Sequence, residues 1–249
     1  MTALVSPASP PAHHVALRQD QAWRWSQSWR NVLFLHWEVS DRRLREILPE
    51  SLELDRWHGS PWVSAVAFRL ARVQLRGLPP IPLCTDFLEL NLRTYVRYRG
   101  EPGIYFLSMY ADSRVAVSAA RWLTPLPYRY APMTCRNERN QWHWQCGAGT
   151  VTQPVLMDGH FEQQGGVGNA SPDSLDAWLV ERYLAFMPDR RGHLHRMKVA
   201  HPRWEIVPIS GRIKSACCVE AFGAKVNPAP GLCHFSSGVE SLIGPFEPV

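Results

Sequence analysis

The sequence predicts an α+β fold that is mainly β and forms one domain. Its 249 residues include 21 prolines and 11 tryptophans, which favours many short strands separated by turns over long helices. Residues 87–99 (FLELNLRTYVRYR) alternate as a strand does, whereas helical spacing is confined to short segments. Hydrophobic residues make up 45% of the chain, enough for a core without disulfide or metal support.

The first predicted elements are a buried strand and a short helix. Residues 31–39 (NVLFLHWEV) form an apolar run typical of a buried strand. Ser40 is placed as the N-cap of a helix over residues 41–48, which Pro49 ends. Its Leu44, Ile47 and Leu48 are expected to face inward.

Several strands and two further helices follow. Strands are predicted at residues 62–70, 87–99 and 103–110, with a hairpin turn at 101–103 and a rigid proline loop at 77–82. Residues 115–123 are predicted as a helix, 142–156 as two weaker strands and 165–169 as a flexible loop. The best helix is predicted at 172–186, with Ser171 as its cap, and residues 193–235 as short strands and turns.

Composition argues against several classes of function. Lys and Arg total 27, but only three are lysines: Lys198, Lys214 and Lys225. The basic residues are scattered and match no nucleic-acid-binding motif, so no nucleic-acid partner is expected. No apolar run reaches the ~20 residues of a membrane span.

The cysteines and the N-terminal segment indicate the cellular location. The six cysteines show no C-x-x-C spacing, which favours reduced, mostly buried thiols. Residues 1–20 are rich in Pro, Ala and His and lack an apolar signal core. We therefore predict a disordered leader at 1–20, a single domain at 21–249 and a cytoplasmic location.

The strand at 87–99 carries the main functional signal. Side chains alternate between its faces, and one face holds Glu89, Asn91, Arg93 and Tyr95 in register. The simplest alternative is a half-exposed strand with this face in water. However, a carboxylate, an amide, a guanidinium and a phenol together can bind a carboxylate and also move a proton.

The sequence resembles the YqjF-like family, bacterial proteins of unknown function in the acetoacetate decarboxylase-like superfamily. The resemblance runs from about residue 25 to near the C-terminus. The motifs that carry it are residues 34–39 (FLHWEV), Leu48-Pro49, 52–54 (LEL), Trp62-Val63, 77–79 (GLP), 87–95 (FLELNLRTY), Tyr183 and 234–238 (HFSSG). The resemblance implies an antiparallel β-barrel or cone, with a few peripheral helices, around a small cavity.

The resemblance also locates a missing group. In the decarboxylases a lysine in the cavity forms a Schiff base with the substrate ketone. The segment that carries this lysine falls on residues 120–129, where Arg121 matches but Tyr128 and Arg129 replace the two lysines. Glu89 matches the family glutamate. Schiff-base decarboxylation is therefore not expected unless Lys198, Lys214 or Lys225 reaches the cavity.

These observations define the predicted site and its ligand. Glu89 and Tyr128 are predicted as catalytic groups, with Glu89 as the acid/base residue. The predicted substrate-binding residues are Asn91, Arg93, Tyr95, Arg121, His36 and His234. The expected partner is a small molecule, with a carboxylate as one option, and a homo-oligomer is left open.

No cofactor or metal is predicted. The sequence has ten histidines, and His193, His195 and His201 lie close together, but they match no metal-ligand spacing. Core or solvated histidines are favoured.

Three functions remain open at this point. One is a lyase, hydratase or isomerase that acts on an oxo-acid-like substrate without a covalent imine. Another is a non-catalytic small-molecule binder or sensor. In the third, Glu89, Asn91 and Arg93 form only a satisfied buried network.

Overall fold

The computed structural model describes residues 23–79, 85–150, 154–225 and 231–249. The predicted leader, residues 80–82 of the proline loop and Cys84 lie outside the described residues. The strands are β1 (Trp25–Glu38), β2 (Glu53–Leu54), β3 (Trp62–Leu75), β4 (Phe87–Tyr98), β5 (Glu101–Ala111), β6 (Tyr128–Tyr130), β7 (Met133–Glu138), β8 (Gln141–Cys146), β9 (Met157–Gln163), β10 (Gly168–Asn169), β11 (Leu184–Pro188), β12 (Leu194–Ala200), β13 (Glu205–Ser215) and β14 (Leu232–Pro248). The helices are α1 (Asp41–Ile47), α2 (Arg114–Leu123), α3 (Leu175–Val180) and α4 (Cys217–Glu220).

Seven strands close into a barrel, which confirms the predicted fold class. Their order is β1-β3-β4-β5-β11-β12-β14, and β14 returns to β1 along a register from Trp25↔Ile243 to His36↔Leu232. Within this ring β5 and β11 run parallel, and the other neighbours are antiparallel. Because the ring is closed, its strands have no free edge between them.

A second layer of strands covers part of the outside of the barrel. From β13, which pairs with β14, this layer continues through β9, β8 and β7. Leu88, Leu90 and Leu92 of β4 pack outward in one core cluster with Trp144 and Phe161 of this layer. The odd-numbered residues of β4 face the barrel interior, so both faces of β4 are buried. The half-exposed alternative for this strand is therefore wrong.

The long strands bend at two special backbone positions. The register between β1 and β3 shifts around Asn31, which has φ 51°. Opposite this part of β1, Gly238 of β14 has φ 124°, and a Cβ there would lie 1.9 Å from the carbonyl oxygen of Trp29. Only glycine fits such an approach without a shift of the backbone.

The predicted helix at 172–186 is wrong in its length and its cap. The helix spans only Leu175–Val180, and Ser174 rather than Ser171 caps it by accepting a hydrogen bond from the backbone N–H of Ala177. The chain then extends as β11, which lies between β5 and β12. Pairing with β5 and β12 along both edges stabilises this segment as a strand, although the spacing of its apolar residues favours a helix.

Three smaller predictions also need correction. The hairpin turn lies at Arg99 and Gly100, both with positive φ, rather than at residues 101–103, which belong to β5. Ile47 is 44% exposed, whereas Leu44 is buried as expected. The strand β7 was not predicted from the sequence, although the strands at 31–39, 62–70 and 87–99 and the helix at 115–123 are confirmed.

Two further expectations concern the thiols and membrane insertion. The described cysteines are free thiols, and Cys146, Cys218 and Cys233 among them are buried. Within the described ranges, none of the helices has the length and apolar character needed to cross a bilayer.

Candidate functional site

The barrel contains a cavity of about 540 Å³ that is partly open to solvent. Most of its lining is apolar and comes from the inward faces of the barrel strands and from α2. The polar side chains in its lining include Glu89, Asn91, Arg93, Tyr128, Arg182 and His201. A mostly apolar cavity with a few convergent polar groups is the usual form of a small-molecule site.

Glu89, which is buried, and Tyr128, which is half-buried, form a hydrogen-bonded pair. Glu89 is 2% exposed, and the phenol of Tyr128 donates a hydrogen bond of 2.9 Å to its Oε2. Burial raises the pKa of Glu89 to about 7, although hydrogen bonds from Tyr128 and Asn91 act in the opposite direction. Burial, together with the adjacent Glu89, raises the pKa of Tyr128 well above its ordinary value. Near neutral pH, Glu89 can therefore give or accept a proton beside a neutral phenol.

Arg93 is a buried cation without a buried anion. It is 8% exposed, and its Nη2 donates to the backbone oxygen of Leu179 at 3.1 Å. Its Nε has no hydrogen-bond partner, and none of the carboxylates in the described residues forms an ion pair with it. A buried charge that lacks a counter-charge is costly, so this part of the cavity favours an anionic ligand.

Arg182 is a cavity residue that the sequence analysis did not select. Its Nη1 donates to Oδ2 of Asp55 at 2.8 Å, and its guanidinium lies 4.4 Å from the ring centroid of Trp178. Asp55 is shared with Arg97, whose Nε donates to its Oδ1 at 2.8 Å, so it offsets the charge of Arg182 only in part. The buried Nη2 of Arg182 remains without a partner, and Arg182 therefore offers a hydrogen-bond donor near the cavity.

Tyr95, His36 and His234 are brought together, but they do not line the cavity. The hydroxyl of Ser64 lies 2.5 Å from Tyr95 Oη and 2.6 Å from His36 Nδ1. The rings of His36 and His234 are 5.7 Å apart, and each ring keeps one buried nitrogen without a partner. Burial lowers the pKa of His36, as do the nearby His234 and Arg93. These residues form a polar layer in the same barrel interior, and Nε2 of His234 lies 3.3 Å from Oδ1 of Asp176.

Arg121 and the lysines lie outside the cavity. Arg121 is exposed on α2, although Ala119 and Ala120 of the same helix line the cavity. Lys198 is exposed on β12, between Met197 and Val199, which do line it. Lys214 and Lys225 are also exposed. No lysine of this chain therefore stands where it can form an imine with a molecule in the cavity.

The histidines that lie close together in the sequence have different environments in the structure. His201 lines the cavity, and burial lowers its pKa to about 4, whereas His193 is exposed. A separate group of His143, Asp158 and His160, on β8 and β9, has possible ligand atoms within 4.8 Å of one another. This group was missed because its members come from two paired strands, and it is not part of the cavity.

Comparisons with known proteins agree with this architecture. A family model described as "Uncharacterized conserved protein" (DUF2071) matches residues 26–240. The uncharacterized protein YqjF of Bacillus subtilis (strain 168) is 34% identical over 226 residues, which cover 91% of this chain and 93% of that protein.

Two solved structures share the fold at low sequence identity. Acetoacetate decarboxylase of Legionella pneumophila aligns with a TM-score of 0.64 at 17% identity, over 100% of this chain and 98% of that one. The enduracididine biosynthesis enzyme MppR, complexed with the condensation product of pyruvate and imidazole 4-carboxaldehyde, aligns with a TM-score of 0.61 at 16% identity. That alignment covers 97% of this chain and 95% of the other. At such identities the likeness concerns the fold alone.

Proposed function

The chain belongs to the DUF2071 family of uncharacterized conserved proteins, and we propose that it binds a small carboxylate in its barrel and catalyses proton transfer on it. The reaction class is that of a lyase, hydratase or isomerase acting on an oxo-acid-like substrate. No imine is involved, because all three lysines are exposed.

The buried cation of Arg93 is the observation that carries this proposal. Its unpaired Nε and the partnerless Oδ1 of Asn91 are buried polar atoms at the cavity. Native proteins rarely leave such atoms unsatisfied. A ligand carboxylate would complete the hydrogen bonding of the guanidinium and neutralise its charge. A ligand hydroxyl or a water can do the same for the amide oxygen.

The Glu89–Tyr128 pair supplies the chemistry. The carboxylate of Glu89 accepts a proton from carbon next to the substrate carbonyl, and its protonated form returns one to carbon. Once Glu89 has taken the proton, it no longer needs the hydrogen bond of Tyr128. The phenol can then turn its one hydrogen to the oxygen on which negative charge develops. A carboxyl group with a pKa of about 7 suits both directions of transfer near neutral pH. One neighbouring protein of similar fold, MppR, has been solved in complex with pyruvate, which is a carboxylate of this class.

Two measurements on 2-oxobutanoate test the proposal. Calorimetry gives binding, and NMR in deuterium oxide gives the exchange of the C3 protons. Arg93→Ala should weaken binding at least tenfold, since it removes a charge-assisted contact. Arg121→Ala, at an exposed arginine of α2, is the matched control and should change nothing. Binding that survives Arg93→Ala would refute the assignment of this site.

Glu89→Gln separates catalysis from binding. It should retain binding of the oxo acid and lose C3 exchange by a hundredfold or more. Unchanged exchange removes Glu89 from the mechanism. Binding without exchange in the wild type would instead support a binder or sensor that uses the same cavity. Borohydride treatment with the oxo acid present should leave no covalent adduct.

A further inference from the structure

We infer that the natural ligand carries a bulky apolar or aromatic group beyond its carboxylate, and that three- or four-carbon oxo acids fill only part of the site. This inference rests on the proposed function, because it assumes that Arg93 holds the carboxylate. It adds the class of side chain that the remainder of the cavity accepts.

The volume of the cavity is the first observation. About 540 Å³ falls inside the range of roughly 300–1,000 Å³ that is usual for drug-sized ligands. It equals the space of roughly eighteen waters at about 30 Å³ each. A three-carbon oxo acid displaces only a few of them. The rest of the space would then stay empty, or hold waters that face few polar groups.

The lining is the second observation. Apart from the polar groups, the walls consist mainly of aliphatic and aromatic side chains, among them Trp29, Phe34, Phe68 and Trp204. Trp29 stacks on Trp204 with ring centroids 6.1 Å apart, and Phe34 meets Trp204 edge-on at 4.9 Å. These rings pack against one another and so present a preformed apolar surface. Such a surface binds apolar groups at little cost in side-chain ordering.

A series of oxo acids with one head group tests the inference. Calorimetric affinities would be measured for pyruvate, 2-oxohexanoate and phenylpyruvate. Burial of a phenyl group should make phenylpyruvate bind at least tenfold more tightly than pyruvate. Equal affinities across the series would overturn the inference while leaving the carboxylate site intact. If none of the acids binds, the proposed function itself fails.

Two variants of α2 locate the apolar group. Ala120 is half-buried and lines the cavity, whereas Ser118 is exposed on the same helix. Ala120→Trp should weaken the binding of phenylpyruvate at least tenfold and leave the affinity for pyruvate within threefold of the wild-type value. Ser118→Trp should change neither affinity. Ala119→Leu, a smaller filling at the next position, repeats the test if Ala120→Trp does not fold. An equal effect of the filling variant on both acids would also overturn the inference.

Discussion

Replacement of Glu89 with Gln is expected to stabilise the ligand-free protein above neutral pH. The pKa of Glu89 rises from its ordinary 4.5 to about 7 in the fold, chiefly through burial. Below pH 4.5 both folded and unfolded chains hold the proton, so the group has no net effect. Between pH 4.5 and pH 7, Glu89 loses its proton in the unfolded chain but keeps it in the folded one. The free energy of unfolding therefore falls as the pH rises. The full loss is about 3 kcal/mol, from 2.5 pKa units at 1.36 kcal/mol each.

Gln resembles the protonated acid and can still accept the hydrogen bond of Tyr128. The free energy of unfolding of Glu89→Gln should therefore exceed that of the wild type by almost nothing at pH 4 and by about 3 kcal/mol at pH 8. Urea unfolding followed by tryptophan fluorescence at pH 4, 6, 7 and 8 measures this difference. Glu53→Gln, at an exposed carboxylate of β2, is the control. A difference that is independent of pH would refute the assignment of a buried Glu89 with a raised pKa.

Three further predictions use the same unfolding assay. Tyr128→Phe removes a hydrogen bond that lowers the pKa of Glu89, so the pH-dependent loss of stability should still begin near pH 4.5 but extend to higher pH and become larger. Asp55→Ala leaves a buried guanidinium without its carboxylate and should cost about 3–5 kcal/mol; a loss below ~1 kcal/mol would contradict the pairing. Gly238→Ala places a Cβ against a backbone oxygen of β1 and should cost at least about 2 kcal/mol. Gly166→Ala, where a Cβ meets open space, should be nearly neutral.

The sequence predicted the polar row of β4 because strand alternation is a local property. Glu89, Asn91 and Arg93 share one face whatever the strand packs against, and the structure places that face inside the barrel. The burial of the other face could not be predicted in the same way. It depends on β7, β8 and β9, which are distant in sequence and bring Trp144 and Phe161 over the outer leucines.

The placement of the arginines shows the limits of a local reading. Arg121 was expected in the cavity from a matched motif, yet a helix turns by about 100° per residue. With Ala119 and Ala120 at the cavity, Arg121 points outward. Arg182 was assigned to a helix by its spacing, and only the pairing of β11 with β5 and β12 brings it to the cavity. Both positions depend on tertiary contacts, which the periodicity of the sequence cannot predict.

The closure of the barrel by β14 has a consequence for how the protein folds. The strand that completes the ring joins residue 25 to residue 243, and pairings of such sequence separation form slowly. During synthesis one edge of β1 stays unpaired until residues 232–248 have left the ribosome. An exposed strand edge can associate with other chains. The cavity, whose wall includes residues of both strands, therefore exists only after this last pairing has formed.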